Sequence, residues 1–252
     1  MDIGKKGVYV MAVDIGNIEG DTYGIVDKIY KKSPSIKKKY RIRRIKFALT
    51  REMRAELLSE AKKRPEDKKY YLILLTQLET GMRVGEVANL TIPQVNIPAK
   101  IISIVPYEGN RYVTEWSPKT ENSIRTVPLT DSLARRLSKH IKRRNVGYVF
   151  ESSKGKQKIG NAWFGKPLNI RSVIRKVNEF AKACPTLKKN IGTHALRRTF
   201  ASYMISMNDI DIGTVSRLLG HASILMTMKY LFDIENLEDF DKVRAAVEKM
   251  NV

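Results

Sequence analysis

Residues 193–200 read Thr193-His-Ala-Leu-Arg-Arg-Thr-Phe200, a stretch that places a histidine and two arginines directly after a threonine. Thr193 can cap a helix, and we expect that helix to run from His194 to Met207. On a helix, His194 and Arg197 are three residues apart and share one face. Because a helix N-terminus also favours bound phosphate, an imidazole, a guanidinium and the helix dipole are predicted to converge on one anion. A lone histidine is usually part of a core, but this one has an arginine on its face.

Two further segments carry polar residues at predicted helix ends. In Leu218-Leu-Gly-His-Ala-Ser-Ile-Leu-Met-Thr-Met-Lys-Tyr230, His221 follows a Leu-Leu-Gly helix end and Tyr230 lies nine positions later. In Thr80-Gly-Met-Arg-Val-Gly-Glu86, Arg83 comes just after Gly81, which is expected to terminate a helix. Alone, the second segment is also consistent with an Arg83–Glu86 surface pair worth under ~0.5 kcal/mol.

The three segments together resemble the motifs of tyrosine recombinases and integrases, written T-G-x-R-x-G-E, H-x-L-R-x-T-F and L-L-G-H followed by tyrosine. They occur in that family's order and span residues 80–230. The resemblance implies a tyrosine recombinase catalytic domain with Tyr230 as the nucleophile. It also implies two catalytic arginines, two histidines and a lysine on a β-hairpin, which are Arg83 and Arg197, His194 and His221, and Lys119.

Three details qualify this resemblance. Lys119 is the only lysine between Lys100 and Lys139, although in most other proteins it would be a solvated turn lysine. Glu86 is expected to support the catalytic residues from behind. Arg198 stands where the family often has histidine, at a position that is not usually catalytic.

The implied reaction is attack on a DNA phosphodiester, and the residues suit it. Planar guanidiniums can hold the two non-bridging oxygens on which negative charge develops. The phenol of Tyr230 has an ordinary pKa of about 10 and needs help to lose its proton, for which His194 is the candidate base. Lys119 can protonate the leaving 5′-oxygen, and His221 is expected to donate a hydrogen bond to the phosphate.

We expect no cofactor, because a phosphotyrosine ester conserves the energy of the DNA bond and resealing needs neither ATP nor a metal ion. The sequence has no G-x-x-x-x-G-K-[ST] loop, and its three histidines are too scattered for a zinc motif. Cys184 is the one cysteine, and it is interpreted as structural.

The fold is predicted to be mixed α/β, mostly α-helical with a small antiparallel three-stranded sheet. Thr50 is a good N-cap for a first helix, and a second, apolar helix covers residues 68–80. The expected strands lie near Lys100–Val105, Arg111–Trp116 and Ile124–Leu129. Later helices are expected near Ser132–Arg144, Ile170–Ala183, His194–Met207, Ile212–Leu219 and Leu225–Leu231.

Composition predicts nucleic acid, DNA or RNA, as the partner, and the resemblance implies that this partner is double-stranded DNA. The chain has 252 residues, with 47 Lys and Arg against 26 Asp and Glu, a formal net charge of +21. Such an excess points to nucleic acid first and to an anionic membrane second. No stretch approaches the ~20 apolar residues that span a bilayer, so a cytoplasmic, DNA-associated protein without membrane contact is expected.

We expect residues 47–252 to form the catalytic domain and residues 1–46 to be a basic N-terminal extension or the remnant of a DNA-binding arm. Between residues 28 and 46 there are ten basic residues and no acid. A disordered basic tail is the alternative. The residues predicted to contact DNA phosphates are Lys28, Lys31, Lys32, Lys37, Lys38, Lys39, Arg41, Arg43, Arg44 and Lys46.

A last amphipathic segment closes the chain with apolar residues at Phe240, Val243, Val247 and Met250. It is predicted either to dock on another subunit or to pack on its own domain, and a homo-oligomer, a tetramer on paired DNA sites, is expected. Two functional alternatives stay open: a type IB topoisomerase, which uses similar residues as a monomer, and a non-catalytic DNA-binding protein on the same fold.

Overall fold

The structure is a computed structural model, and it describes residues 48–187, 190–207 and 210–231, except for the side chains of residues 229–231. The α-helices in this part of the chain are α1 (Arg51–Lys62), α2 (Lys68–Thr80), α3 (Val84–Ala88), α4 (Asp131–Ile141), α5 (Ile170–Ala183), α6 (Thr193–Ser206), α7 (Ile212–Leu219) and α8 (Ile224–Leu231). The strands are β1 (Val95–Asn96), β2 (Ile101–Ile104), β3 (Arg125–Pro128), β4 (Gln157–Ile159) and β5 (Ala162–Phe164). The mostly helical fold predicted from sequence is confirmed.

Helix α2 is the centre of the domain. Residues 72–78 are buried without interruption, so the helix is covered on every side. It contacts α1, α4, α5 and α6. A smaller apolar cluster joins α6 to α7 through Phe200, Ala201, Val215 and Leu219.

The helix starts follow local chemistry, with one correction. Thr50 Oγ1 accepts a hydrogen bond from the Met53 amide at 3.3 Å, as expected of an N-cap. The expectation that Thr193 caps α6 is wrong. Gly192 is the N-cap, with an extended backbone and a carbonyl that accepts from the Ala195 amide at 2.8 Å. Thr193 is instead the first helical residue and is buried.

The three-stranded sheet is antiparallel with the order β1-β2-β3, and its register pairs Val95 with Ile102 and Ile102 with Val127. The predicted strand Arg111–Trp116 is wrong, because only Trp116 pairs, in a single bridge to Tyr107. The Asn110 side-chain oxygen accepts hydrogen bonds from the amides of residues 112 and 113, at 2.8 and 3.1 Å. Those amides are therefore lost to a strand ladder.

Two small features were not predicted. Strand β1, which completes the sheet, has two residues, too few to show an alternating pattern. The β4–β5 hairpin forms a separate two-stranded sheet.

Cys184 is buried, its thiol donates to the Phe180 carbonyl at 3.3 Å, and burial raises its pKa to about 11, which fits a structural role.

Candidate active site

Two helices end on left-handed glycines, and a predicted site residue follows each of them. Gly81 ends α2 at φ 64° and Gly220 ends α7 at φ 63°, so a side chain at either position would be strained. A Cβ at Gly81 would lie 2.4 Å from Phe200 Cδ1, and one at Gly220 would lie 2.8 Å from the Asn122 carbonyl oxygen. The two chain reversals therefore approach their neighbours as closely as only glycine allows.

Arg83 leaves the first reversal and spans three segments of the chain. Its Nη1 donates to Glu86 Oε1 at 2.8 Å and to Ser123 Oγ at 3.1 Å, and its Nη2 donates to the Gly220 carbonyl at 3.2 Å. The side chain keeps 26% of its surface exposed. The guanidinium is thus held in place from behind and remains within reach of a ligand.

Glu86 is buried beneath Arg83 and does not form the surface pair considered above. Its side chain is only 4% exposed, and one of its oxygens also accepts from the Arg83 amide at 2.7 Å. Burial acts to raise the pKa of Glu86, but hydrogen bonds and charge from Arg125 and Arg83 outweigh it, and the net pKa is lowered. The carboxylate therefore stays ionised between two guanidiniums.

Arg125 is the site residue that sequence reasoning missed. Its Nη1 and Nη2 donate to the two Glu86 oxygens at 3.0 and 2.8 Å, and its Nε donates to the Leu218 carbonyl at 2.7 Å. A signal did exist: Arg125 is two residues before buried Val127 in β3 and therefore on its inward face. A cation on the core side of a strand demands a buried partner.

Arg197 lies deeper than Arg83, with 3% of its surface exposed. Its Nη1 donates to the Gly81 carbonyl at 2.7 Å, and its Nη2 donates to the Leu219 carbonyl. Arg197 therefore binds the turn that leads into Arg83. Both arginines bind the C-terminal end of α7, which leads into His221.

His221 is partly buried next to these arginines. Its Nδ1 lies 2.8 Å from Thr227 Oγ1, and its backbone amide donates to the Ser216 carbonyl at 3.1 Å. Burial, followed by the positive charges of Arg197, Arg83 and Arg125, lowers the pKa of His221 to about 4. The imidazole is therefore neutral near pH 7.

The electrostatics of this cluster favour an anion. The cluster holds three guanidiniums, from Arg83, Arg125 and Arg197, and the carboxylate of Glu86, which pairs with the first two. The same charges that disfavour a protonated His221 would stabilise a bound phosphate. A groove of about 580 Å³ opens beside the cluster, and its lining includes Arg125, Gly220 and His221.

For three further predicted site residues, the structure gives the helix or connection on which each one lies. Lys119 is exposed in the β2–β3 connection, and it precedes Thr120, whose hydroxyl lies 2.9 Å from the Ser123 hydroxyl that binds Arg83. His194 is exposed in the first turn of α6. Tyr230 belongs to α8, but its side chain lies outside the description.

Other predictions fall wholly on residues that the structure does not describe. These are the basic segment from Lys28 to Lys46 and the apolar stripe of Phe240, Val243, Val247 and Met250. Within the described ranges, no helix is long and apolar enough to cross a membrane, and no His, Cys, Asp and Glu residues are grouped as a metal site requires.

The chain is similar in sequence to several curated proteins. A tyrosine recombinase of Pseudothermotoga lettingae is 29% identical over 181 residues, which cover 71% of this chain and 54% of the relative. The tyrosine recombinase XerA of Pyrococcus furiosus is 28% identical, over 66% of this chain and 51% of the relative. The transposase from transposon Tn916 of Enterococcus faecalis is 26% identical, over 82% and 51%. The chain thus spans about half the length of these relatives.

Solved structures show the same fold. The crystal structure of XerA recombinase matches with a TM-score of 0.60 at 21% identity, covering 79% of this chain and 64% of that one. The Tn1549 transposon integrase in complex with transposon right end DNA matches with a TM-score of 0.58 at 21% identity, covering 82% and 67%.

A family model covers the whole of the described part of the chain. The model of the phage integrase family matches residues 48–235, well over half of the 252 residues. The match begins where the described part of the chain begins, and it contains the three motifs and every residue of the arginine–histidine cluster. This chain belongs to the phage integrase family.

Proposed function

We propose that the chain is a site-specific DNA recombinase or integrase that cleaves and rejoins DNA strands through a 3′-phosphotyrosine at Tyr230. The observation that carries the proposal is the meeting of Arg83 and Arg197 on consecutive carbonyls, those of Gly220 and Leu219, directly before His221. Segments far apart in sequence thereby contribute to one cationic site.

The proposed reaction is a pair of transesterifications. The Tyr230 phenolate oxygen attacks the scissile phosphorus, the bond from phosphorus to the 5′-oxygen breaks, and that oxygen takes a proton as it leaves. In the second step a 5′-hydroxyl of another strand attacks the phosphotyrosine, and the tyrosine oxygen leaves. One ester bond forms for each that breaks, so no energy source is needed.

Each residue has a separate role in this scheme. Arg83 and Arg197 bind the non-bridging oxygens, while Glu86 and Arg125 hold Arg83 from behind. Lys119 is the proposed acid for the 5′-oxygen, because its exposed amine sits on a connection tied to Arg83 through Thr120 and Ser123.

His194 is the proposed base for Tyr230, on the strength of its place one turn from Arg197. His221, which is neutral near pH 7, can donate one ring N–H to the phosphate without giving up a proton.

The proposed partner is double-stranded DNA, bound by a homotetramer on paired sites. The net charge of +21 supports DNA, as does the described complex of the Tn1549 integrase with transposon DNA. We also propose that residues 47–252 are the catalytic domain and that the basic residues of segment 1–46 add phosphate contacts.

The decisive experiment is capture of the covalent adduct on a DNA substrate nicked near the cleavage point, so that the released fragment diffuses away and resealing fails. Wild type is expected to accumulate protein–DNA adduct, and Tyr230→Phe is expected to form none while binding DNA almost as tightly. Tyr203→Phe is the matched control, because Tyr203 is a half-exposed tyrosine on α6 outside the proposed site. Adduct formation by Tyr230→Phe, or its loss in Tyr203→Phe, would overturn the assignment.

Two further assays separate the alternatives. A type IB topoisomerase would relax supercoiled DNA without joining strands between paired sites, whereas a recombinase yields recombinant products. A protein that only binds DNA would give no adduct with any substrate.

A further inference from the structure

One hydrogen bond connects His221 to the helix that carries Tyr230. Nδ1 of His221 lies 2.8 Å from Oγ1 of Thr227, and Thr227 is completely buried. Thr227 lies three residues before Tyr230 on α8, which is about one helical turn. The contact therefore joins the end of α7 to the helix of the proposed nucleophile.

The burial of Thr227 fixes the direction of this hydrogen bond. A threonine hydroxyl has one proton to donate and can also accept. Among the described residues, the ring of His221 is the hydrogen-bonding partner of this hydroxyl. If the hydroxyl accepted from Nδ1–H, its own proton would be buried without an acceptor among the described residues, which is unfavourable. The hydroxyl is satisfied when it donates to Nδ1.

A donating hydroxyl also decides where the imidazole proton sits. A neutral imidazole carries one proton, and the nitrogen that accepts a hydrogen bond cannot carry it. The proton is then on Nε2, on the opposite side of the ring. That nitrogen can offer an N–H to an anion in the adjoining groove, which His221 lines.

We propose that Thr227 is a positioning residue: by donating to Nδ1 it keeps the proton of His221 on Nε2, the nitrogen that donates to the scissile phosphate. The catalytic meaning of this contact rests on the proposed function. Thr227 and Tyr230 lie on the same helix. If that helix moves away, the site loses its nucleophile, and the proton of His221 is no longer confined to Nε2. The hydrogen bond from His221 to the phosphate is thereby coupled to the presence of the nucleophile.

Two variants isolate the hydroxyl. Thr227→Val keeps the branched shape and removes the donor, and Thr227→Ser keeps the donor and removes one methyl group. The first readout is the ¹⁵N NMR spectrum of the His221 ring in the DNA-free protein, in which protonated and unprotonated nitrogens have well-separated shifts. Wild type and Thr227→Ser are expected to carry the proton on Nε2, and Thr227→Val is expected to move it partly or wholly to Nδ1.

The second readout is the single-turnover rate of adduct formation on the nicked substrate. Thr227→Val is expected to be slower by on the order of tenfold with unchanged DNA affinity, and Thr227→Ser by no more than about twofold. A wild-type proton on Nδ1, or a Val variant with wild-type tautomer and rate, would overturn the proposal. If Thr227→Val does not fold, the wild-type spectrum and the Ser variant still decide it. If the spectra behave as expected and wild type forms no adduct, the proposed function fails and the tautomer assignment stands.

Discussion

The guanidinium of Arg125 and the carboxylate of Glu86 form a two-point ion pair whose side chains are only 5% and 4% exposed. Since Glu86 also accepts hydrogen bonds from the side chain and the amide of Arg83, this pair fixes the position of Arg83. A buried pair of this kind is costly to break, because the remaining charge has no water to solvate it.

Replacement of Arg125 is therefore expected to destabilise the whole domain. Arg125→Met should lower the free energy of unfolding by about 3–5 kcal/mol, because Glu86 loses its bidentate partner while still buried. The measurement is urea unfolding followed by circular dichroism. Arg175→Met is the matched control: its ion pair with Glu179 spans 3.9 Å, its side chain is 70% exposed, and it should change stability by less than ~1 kcal/mol. Equal effects of the two substitutions would contradict the role given to Arg125.

Substitution of the two proposed catalytic arginines should affect activity alike and stability differently. Arg83→Ala and Arg197→Ala should both slow adduct formation by on the order of 10²-fold or more, as expected for transition-state contacts. Only Arg197→Ala should also lower the melting temperature by several degrees, because it alone is fully buried and ties the Gly81 and Leu219 carbonyls together. Single-turnover kinetics and thermal unfolding of the same samples test this. Wild-type stability in Arg197→Ala would show that its carbonyl contacts matter little.

Lys119 is expected to matter only when the leaving oxygen needs a proton. Lys119→Met should slow cleavage of normal DNA strongly, but it should have little effect on a substrate with a 5′-bridging sulfur, because a thiolate leaves unprotonated. Lys139→Met, which removes another exposed lysine, controls for lost surface charge. Equal defects of Lys119→Met on both substrates would remove Lys119 from the role of acid.

The stability of the domain should depend on pH through His221. In the folded state its pKa is lowered from 6.5 to about 4, so between these values the unfolded chain binds the proton more readily. The contribution of His221 to stability is thus fully present above pH 6.5 and is lost as the pH falls towards 4. Thermal unfolding from pH 7.5 to about 4 should fall more steeply for wild type than for His221→Gln, which cannot titrate there. Parallel curves would contradict the depressed pKa.

The basic segment from residue 28 to 46 is expected to act as an electrostatic arm. Its deletion should weaken binding similarly on all DNA sequences and flatten the salt dependence, each lost phosphate contact changing the slope of log affinity against log salt by ~0.9. Deletion of residues 2–20, a stretch of equal length with two lysines and three acids, controls for chain length. Loss of discrimination between cognate and random DNA, with an unchanged salt slope, would instead make the segment a reader of bases.

Local signals in the sequence were enough to place the helices. Gly81 and Gly220 end α2 and α7 because left-handed termination is a property of the residue itself, and the bounds Ile170–Ala183 and Ile212–Leu219 agree with the prediction. The errors involve competition between local partners. Asn110 captures amides that a strand would have used, and Gly192 starts α6 one residue before the expected cap.

The arrangement of the site depended on contacts that sequence spacing cannot supply. Arg83 and Glu86 were identified by motif, but the ion pair that holds Glu86 comes from Arg125 in β3, which is 39 positions away in the sequence. The hydroxyl of Thr227 was likewise invisible, because a threonine in an apolar helix looks like one more core residue until His221 is found beside it.

The left-handed turns at Gly81 and Gly220 make the assembly of the site depend on the folding of the whole domain. Arg83, Arg125, Arg197 and His221 converge only when both turns are closed against each other, since the arginines bind the carbonyls at those turns. An incomplete chain, such as a nascent one on the ribosome or one cut by a protease, has the same side chains. It lacks the closed turns whose carbonyls hold the arginines together. If the proposed function is correct, an incomplete copy would therefore not cut DNA, and no dedicated inhibitor would be needed.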